Sequence, residues 1–313
     1  LLVCSTIFYI LYFIFYILYF IFYIRWSRGV YKMKTISKQQ ITEFDTKGVV
    51  FLDNYFSKAW IEKLKIGIGK NILNPGKEKR VWSKESEGQY TFYDSDNWRK
   101  IPEYREFVEK SSMKNVAAKL LNTQKVNFFF DAIFVRSAGV KFSTPWHQDE
   151  PYWSVEGYNT VSIWMPLVDV RKESALAFVP GSHRWGKKFR QQDFGELNPE
   201  NEEKVNNVTF DSEWEVIPDI DNERDKYKVI SWNMKAGDCV AFNARIIHGG
   251  GGNLLPNKDL KVFNTQWLGD DIRVCFKESG MDPDHSKKMR EAGMKSGDKL
   301  SNELYPAFHT YSM

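Results

Sequence analysis

NFFFDAIFVR, residues 127–136, is dense in aromatic and β-branched residues, shows no helical period, and leads a series of runs of the same texture. TVSIWMPLVDV (160–170), ALAFVPG (175–181), KVISWN (228–233), DCVAFNARIIHGG (238–250) and KVFNTQWLG (261–269) follow, separated by Gly, Pro, Asp and Asn. Short strands punctuated in this way describe a sandwich or barrel. The chain has 313 residues, 42% of them hydrophobic, enough for one substantial core.

Upstream of these runs the pattern is helical. Ser37 and Gln40 stand in the relation of a capping box, Ile41 and Phe44 follow at helical spacing, and Gly48 closes the segment. VVFLDNYF (49–56) is β-rich, and Ser57 then caps a second helix with Ile61, Leu64, Ile68 and Ile72 on one face. Asn74, Pro75 and Gly76 end it. A third helix is expected from Pro102 towards Leu121, with Phe107, Val116, Leu120 and Leu121 as its apolar stripe. The expected organisation is a helical region at 33–124 packing on a β core at 125–276, with an acidic inserted loop at 190–228 that borders the active site. Residues 277–313 read as a polar C-terminal tail with a short helix near 287–294.

Residues 7–24 repeat seven apolar residues without variation and without charge, and Arg25, Arg28 and Lys32 follow. All seven positions are apolar, which disfavours a coiled-coil seam. Two readings of residues 1–32 stand. One is translated low-complexity sequence upstream of a start at Met33; the other is an N-terminal anchor helix, which would give the chain a membrane partner. The formal charge of +4 comes from 44 basic and 40 acidic residues, interspersed, so no nucleic-acid partner is expected. Cys4, Cys239 and Cys275 are far apart, odd in number and without C-x-x-C spacing, so neither a disulfide framework nor a zinc site is indicated, and a reducing, cytoplasmic location fits best.

The chain has five histidines, and two have a chemical context. In PWHQDE (145–150), His147 and Asp149 are two residues apart, which on an extended strand turns both side chains to one face. His248 ends an apolar strand just before Gly249–Gly252, where its ring can complete the set. Two histidines and one carboxylate on one face of a metal form the facial triad of non-haem iron oxygenases, with three positions left open. His183 follows a turn and reads as structural; His285 and His309, in the polar tail, read as solvated.

FVRSAGVKFSTPWHQDEPYW (134–153), SIWMPLVDV, ALAFVPGSHRWG, MKAGDCVAFNARIIHGGGGN and TQWLGDDIRV together resemble the phytanoyl-CoA dioxygenase family, in the same order and at similar spacings, over about Thr35 to Arg273. The resemblance implies a mainly β fold with flanking helices and a double-stranded β-helix (jelly-roll, cupin-like) core. It implies Fe(II) held by His147, Asp149 and His248, and oxidative decarboxylation of 2-oxoglutarate coupled to hydroxylation of a small organic substrate by dioxygen. Related halogenases lack the carboxylate, so Asp149 favours hydroxylation.

One departure stands out. The family's arginine for the far carboxylate of 2-oxoglutarate falls at Leu260 or Lys261, leaving Lys261 as a point-charge substitute, Thr265 further along, and Arg136 as a second candidate cation. Gln148 and Trp164 are expected near the co-substrate, and Trp146, Tyr152 and Trp153 near the substrate. The competing readings are a cupin-like metal isomerase or epimerase that uses no oxoacid and a non-catalytic, membrane-tethered binding protein.

Overall fold

The computed structural model describes residues 34–82, 89–141, 143–192, 194, 214–255, 257–278 and 280–310. The apolar repeat of residues 1–32, most of the inserted loop and Cys4 lie outside them. Among the described residues no helix is long and apolar enough to cross a membrane.

Helix α1 (Lys38–Lys47) starts at the expected capping box: the Gln40 amide donates to Ser37 Oγ and the Ser37 amide to Gln40 Oε1. It ends on Gly48 at φ 78°, where a Cβ would meet the His183 ring at 2.5 Å. His183 is therefore a packing residue under this turn, its Nε2 against the Asp45 carbonyl. Strand β1 (Val49–Leu52) follows, then α2 (Lys58–Leu73), capped by Ser57 and burying Ile61, Leu64 and Ile68. The expected third helix is two helices, α3 (Pro102–Lys110) and α4 (Met113–Leu120). Ser111 leaves the helical region at ψ 170°, and its hydroxyl accepts from the Met113 amide, so a local side-chain bond replaces a helical one. The four residues of the expected stripe are buried all the same.

The remaining strands are β2 (Arg80–Trp82), β3 (Thr91–Ser95), β4 (Lys125–Arg136), β5 (Thr144–His147), β6 (Val155–Glu156), β7 (Thr160–Pro166), β8 (Leu176–Phe178), β9 (Cys239–Phe242), β10 (His248–Gly250), β11 (Leu260–Leu268), β12 (Arg273–Val274) and β13 (Ala307–His309). The larger sheet runs β1-β9-β7-β11-β4-β3-β2 with β13 added on β4, and a smaller one runs β5-β10-β8. All of these pairings are antiparallel. This is the expected jelly-roll core. One face of the larger sheet packs on α2, α3 and α4 through Phe263, Tyr104 and Phe107; the other faces a cavity shared with the smaller sheet.

The pairing of β4 with β11 slips by one residue, because Gln266 faces Phe130 while Trp267 faces Phe128. The extra residue is Phe129, a β-bulge. It lets Phe128 join Trp267 and Trp98 beneath the helices, while Phe129 and Phe130 both turn to Trp153 and His285.

Residues 277–310 are not a solvated tail. They carry a helix at Ser286–Glu291 and strand β13, and they bury His285, Met289 and Tyr305 against the bulge. His285, read from sequence as solvated, is 2% exposed. Its hydrophilic neighbours in sequence concealed the apolar contacts that β4 supplies from far along the chain.

Candidate metal centre and its cavity

β5 ends on His147, and β10 begins with His248 as its direct cross-strand partner, so sheet register alone brings the two rings to 4.2 Å between centroids. Asp149 arrives differently from the strand-face expectation. It lies past the end of β5 with helical dihedrals, at the cap of a short 3-10 turn over Glu150–Tyr152. The turn, not the pleat, aims its carboxylate. The amides of Asp149 and Glu150 both donate to the Ala244 carbonyl, at 2.8 and 3.1 Å. Buried Glu150 accepts from Arg245 Nη2 at 2.8 Å and from the Gly157 amide, while Lys277 Nζ donates to the Trp153 carbonyl at the end of the turn.

The donor atoms converge. Asp149 Oδ1 lies 3.4 Å from His147 Nε2 and 3.5 Å from His248 Nε2, and one donor atom from each residue falls within 4.8 Å of the others. Each ring is fixed by a bond from its far nitrogen: His147 Nδ1 to the Pro145 carbonyl at 2.8 Å and His248 Nδ1 to the Ile246 carbonyl at 3.1 Å. A carbonyl only accepts, so both Nδ1 atoms carry the proton and both Nε2 lone pairs face inward, the tautomer that metal ligation needs. Ser162 on β7 donates to Asp149 Oδ2 at 3.1 Å, which leaves Oδ1 as the inward oxygen. Burial alone would raise the Asp149 pKa, but His248, His147 and the Ser162 hydroxyl hold it below the ordinary range. Burial, reinforced by His147, pushes His248 down to about 4. Near pH 7 His248 is thus a neutral imidazole and Asp149 a carboxylate, and two imidazoles with one carboxylate are the donor set suited to iron.

The triad lines a cavity whose floor is the inner face of the larger sheet, with Phe130, Ala132, Phe134 and Arg136 of β4 and Leu260, Val262, Asn264 and Gln266 of β11 in alternate positions. Lys261 and Thr265 are therefore on the wrong face for the co-substrate role expected of them. Both share the side of β11 that carries Phe263 to the helices, and Thr265 Oγ1 accepts from Trp267 Nε1 there. Gln148 is turned away as well. Its carboxamide is spent on backbone, donating to the Arg245 carbonyl and accepting from the Phe189 amide. Trp146 packs outside the smaller sheet with Val179, Phe189 and Ile247, not in the cavity. Trp164, Tyr152, Trp153 and Arg136 do line it.

Arg136 is the unusual member. It is buried, its Nη1 donates to the Gly251 carbonyl and its Nη2 to Thr144 Oγ1, while its Nε has no partner. No carboxylate among the described residues lies within ion-pair reach, and burial lowers its pKa to about 10. Its cross-strand neighbours are Leu260 on β11 and Thr91 on β3, and the Thr91 hydroxyl is also buried without a partner. The guanidinium thus stands directly beside Leu260, one of the two positions where the resemblance expects an arginine. Sequence reading also missed Thr91, Ser162, Arg80, Phe194, Asn264, Gln266 and Asp282. The two-residue alternation of β11 was a usable signal for Asn264 and Gln266; Arg80, Phe194 and Asp282 come from distant segments and left none.

Comparisons with known proteins agree with this architecture. A search of curated proteins finds no match. Among solved structures, the non-haem alpha ketoglutarate dependent carbocyclase SnoK from nogalamycin biosynthesis is similar at 19% identity and TM-score 0.65, over 87% of this chain and 96% of that one. EvdO2 from Micromonospora carbonacea var. aurantiaca, complexed with 2-oxoglutarate, is similar at 19% identity and TM-score 0.56, over 76% of this chain and 93% of that one. EctD from S. alaskensis, with 2-oxoglutarate and 5-hydroxyectoine, matches at 18% identity and TM-score 0.57, over 75% of this chain and 76% of that one. At these identities the likeness speaks to the fold. A family profile described as phytanoyl-CoA dioxygenase (PhyH) matches residues 44–255, about two thirds of the sequence, and so the chain belongs to the phytanoyl-CoA dioxygenase family.

Proposed function

We propose that the chain is a non-haem Fe(II)- and 2-oxoglutarate-dependent dioxygenase that hydroxylates a small organic substrate, with succinate and CO2 as co-products. The observation that carries this reading is the convergence of two inward-facing Nε2 atoms and one carboxylate oxygen in a buried pocket. The second support is Arg136. A buried guanidinium without a carboxylate is costly unless a ligand supplies one, and a dicarboxylate does so. Iron and 2-oxoglutarate, when bound, supply the oxidising chemistry that cleaves the oxoacid and hydroxylates a substrate C–H bond.

The protein's own part is ligation, orientation and exclusion of water. His147, Asp149 and His248 hold the metal; Ser162 and the two backbone carbonyls fix their direction. Arg136 and Thr91 take the far carboxylate of the oxoacid, and Trp164 forms the adjacent wall. Phe194, 4.9 Å from the His147 ring and packed on Tyr152, would help keep solvent from a metal held by the triad. Arg136 speaks against an isomerase that uses no oxoacid. A reducing cytoplasmic setting belongs to the same reading, supported by the free thiols of Cys239 and Cys275.

The test is oxygen-dependent succinate release from 2-oxoglutarate by the Fe(II)-loaded protein, alongside an anaerobic Co(II) titration. Wild type should bind one equivalent of metal and release succinate, and Asp149→Ala should do neither. Metal binding without any succinate would remove the oxoacid from the proposal.

A further inference from the structure

The cavity that holds the triad is also lined by segments far apart in the chain. Arg80 on β2 and Asp282 in the segment before the C-terminal helix both line it and form a bidentate ion pair, with Nη2–Oδ1 at 2.7 Å and Nη1 on Oδ2. Both side chains are 18% exposed. Asp282 is anchored by its amide on the Tyr152 carbonyl, and the Arg80 guanidinium lies over the Tyr93 ring at 5.7 Å. The aromatic lining of the same cavity is Tyr93, Phe130, Phe134, Tyr152, Trp153 and Phe194.

From these features, and resting on the oxygenase reading of the same cavity, we infer that the substrate is an uncharged, multiply hydroxylated ring compound. Its apolar faces lie on the aromatic walls and its hydroxyls on the Arg80–Asp282 pair. The pair is neutral as a unit, so it offers no excess charge to a phosphate, a carboxylate or an ammonium group. It is still rich in hydrogen-bonding capacity. A guanidinium has five N–H donors and a carboxylate about four lone-pair sites, and the bidentate contact consumes two of each. What remains is a set of donors beside a set of acceptors, which a hydroxyl matches because it donates and accepts at once. Flat aromatic surface does the rest of the binding, as in most small-molecule sites. Arg136, the other guanidinium of the cavity, is committed to the oxoacid.

The experiment compares two probes that share a phenyl ring, phenyl β-D-glucopyranoside and phenyl phosphate, by calorimetric titration into the Fe(II)- and 2-oxoglutarate-loaded protein without oxygen. Wild type should bind the glucoside more tightly than the phosphate, by about tenfold. Asp282→Asn keeps the shape but unmasks the Arg80 charge, and should reverse the order, tightening the phosphate by about tenfold. Wild type preferring the phosphate, wild type binding neither probe, or Asp282→Asn leaving the ratio unchanged each overturns the inference. Succinate release without any probe addresses the oxygenase reading alone, so the two failures are told apart.

Discussion

Replacing Arg136 by methionine should leave the unliganded protein close to wild-type stability while abolishing its response to 2-oxoglutarate. Burial lowers the Arg136 pKa from 12.5 to about 10, and at ~1.4 kcal/mol per unit the charge costs the fold about 3 kcal/mol. Methionine removes that cost and forfeits the bonds to the Gly251 carbonyl and Thr144 Oγ1, each worth about 1 kcal/mol or somewhat more to a charged donor. The two effects offset one another to within about 2 kcal/mol, a shift of a few degrees in Tm for a domain of this size. Loss of one member of a paired buried ion pair would instead cost about 3–5 kcal/mol. Thermal unfolding of the Co(II)-loaded protein is the assay. At 2-oxoglutarate one hundred times its Kd, wild type gains about 2.7 kcal/mol, some 5–10 °C in Tm. Arg136→Met should gain nothing, whereas Lys261→Ala, altered on the helix-facing side of β11, should gain as much as wild type. Severe destabilisation of Arg136→Met without ligand, or a retained upward shift with it, refutes the reasoning.

Ser162→Ala should fold normally yet bind Co(II) about 10- to 100-fold more weakly by calorimetry, because Asp149 Oδ2 loses the hydroxyl that fixes the carboxylate; unchanged affinity would mean that the turn alone sets Asp149. The metal-free protein should lose stability as pH falls from about 6.5 to about 4. His248 has a folded pKa near 4, so in that window the unfolded chain binds the proton that the folded one refuses, a difference of about 3 kcal/mol at most. Urea unfolding at pH 7.5, 5.5 and 4.5 measures this slope, and His248→Asn should reduce it, the remainder coming from His285 and His183, which burial also holds below their ordinary range.

What the sequence made legible was local. The capping box at Ser37 and Gln40, the glycine stop at 48 and the buried stripe of α2 each depend on neighbours within a few residues, and each appears in the fold. His147 and His248 were legible because few histidines compete for attention and both sit at strand ends. Asp149 does converge on the two histidines, but a turn and not the expected strand face aims it. Lys261 and Arg136 show where local reading stops. Which of the two cations reaches the cavity depends on the pleat phase of β11 and on the pairing that sets Arg136 beside Leu260, and neither is written in a short segment. The same holds for His285, whose polar neighbours gave no sign of the Phe129 bulge it packs against.

The position of residues 277–310 in the chain bears on how the site comes into being during synthesis. Both ligating histidines, Asp149, Arg136 and the strands β1 to β11 that align them all precede Asp282 and Tyr305 in the chain. A chain whose residues 280–310 have not yet docked leaves Phe129 and Phe130 of the bulged strand, and Trp153 beside them, without their cover, the kind of surface that chaperones engage and aggregates grow from.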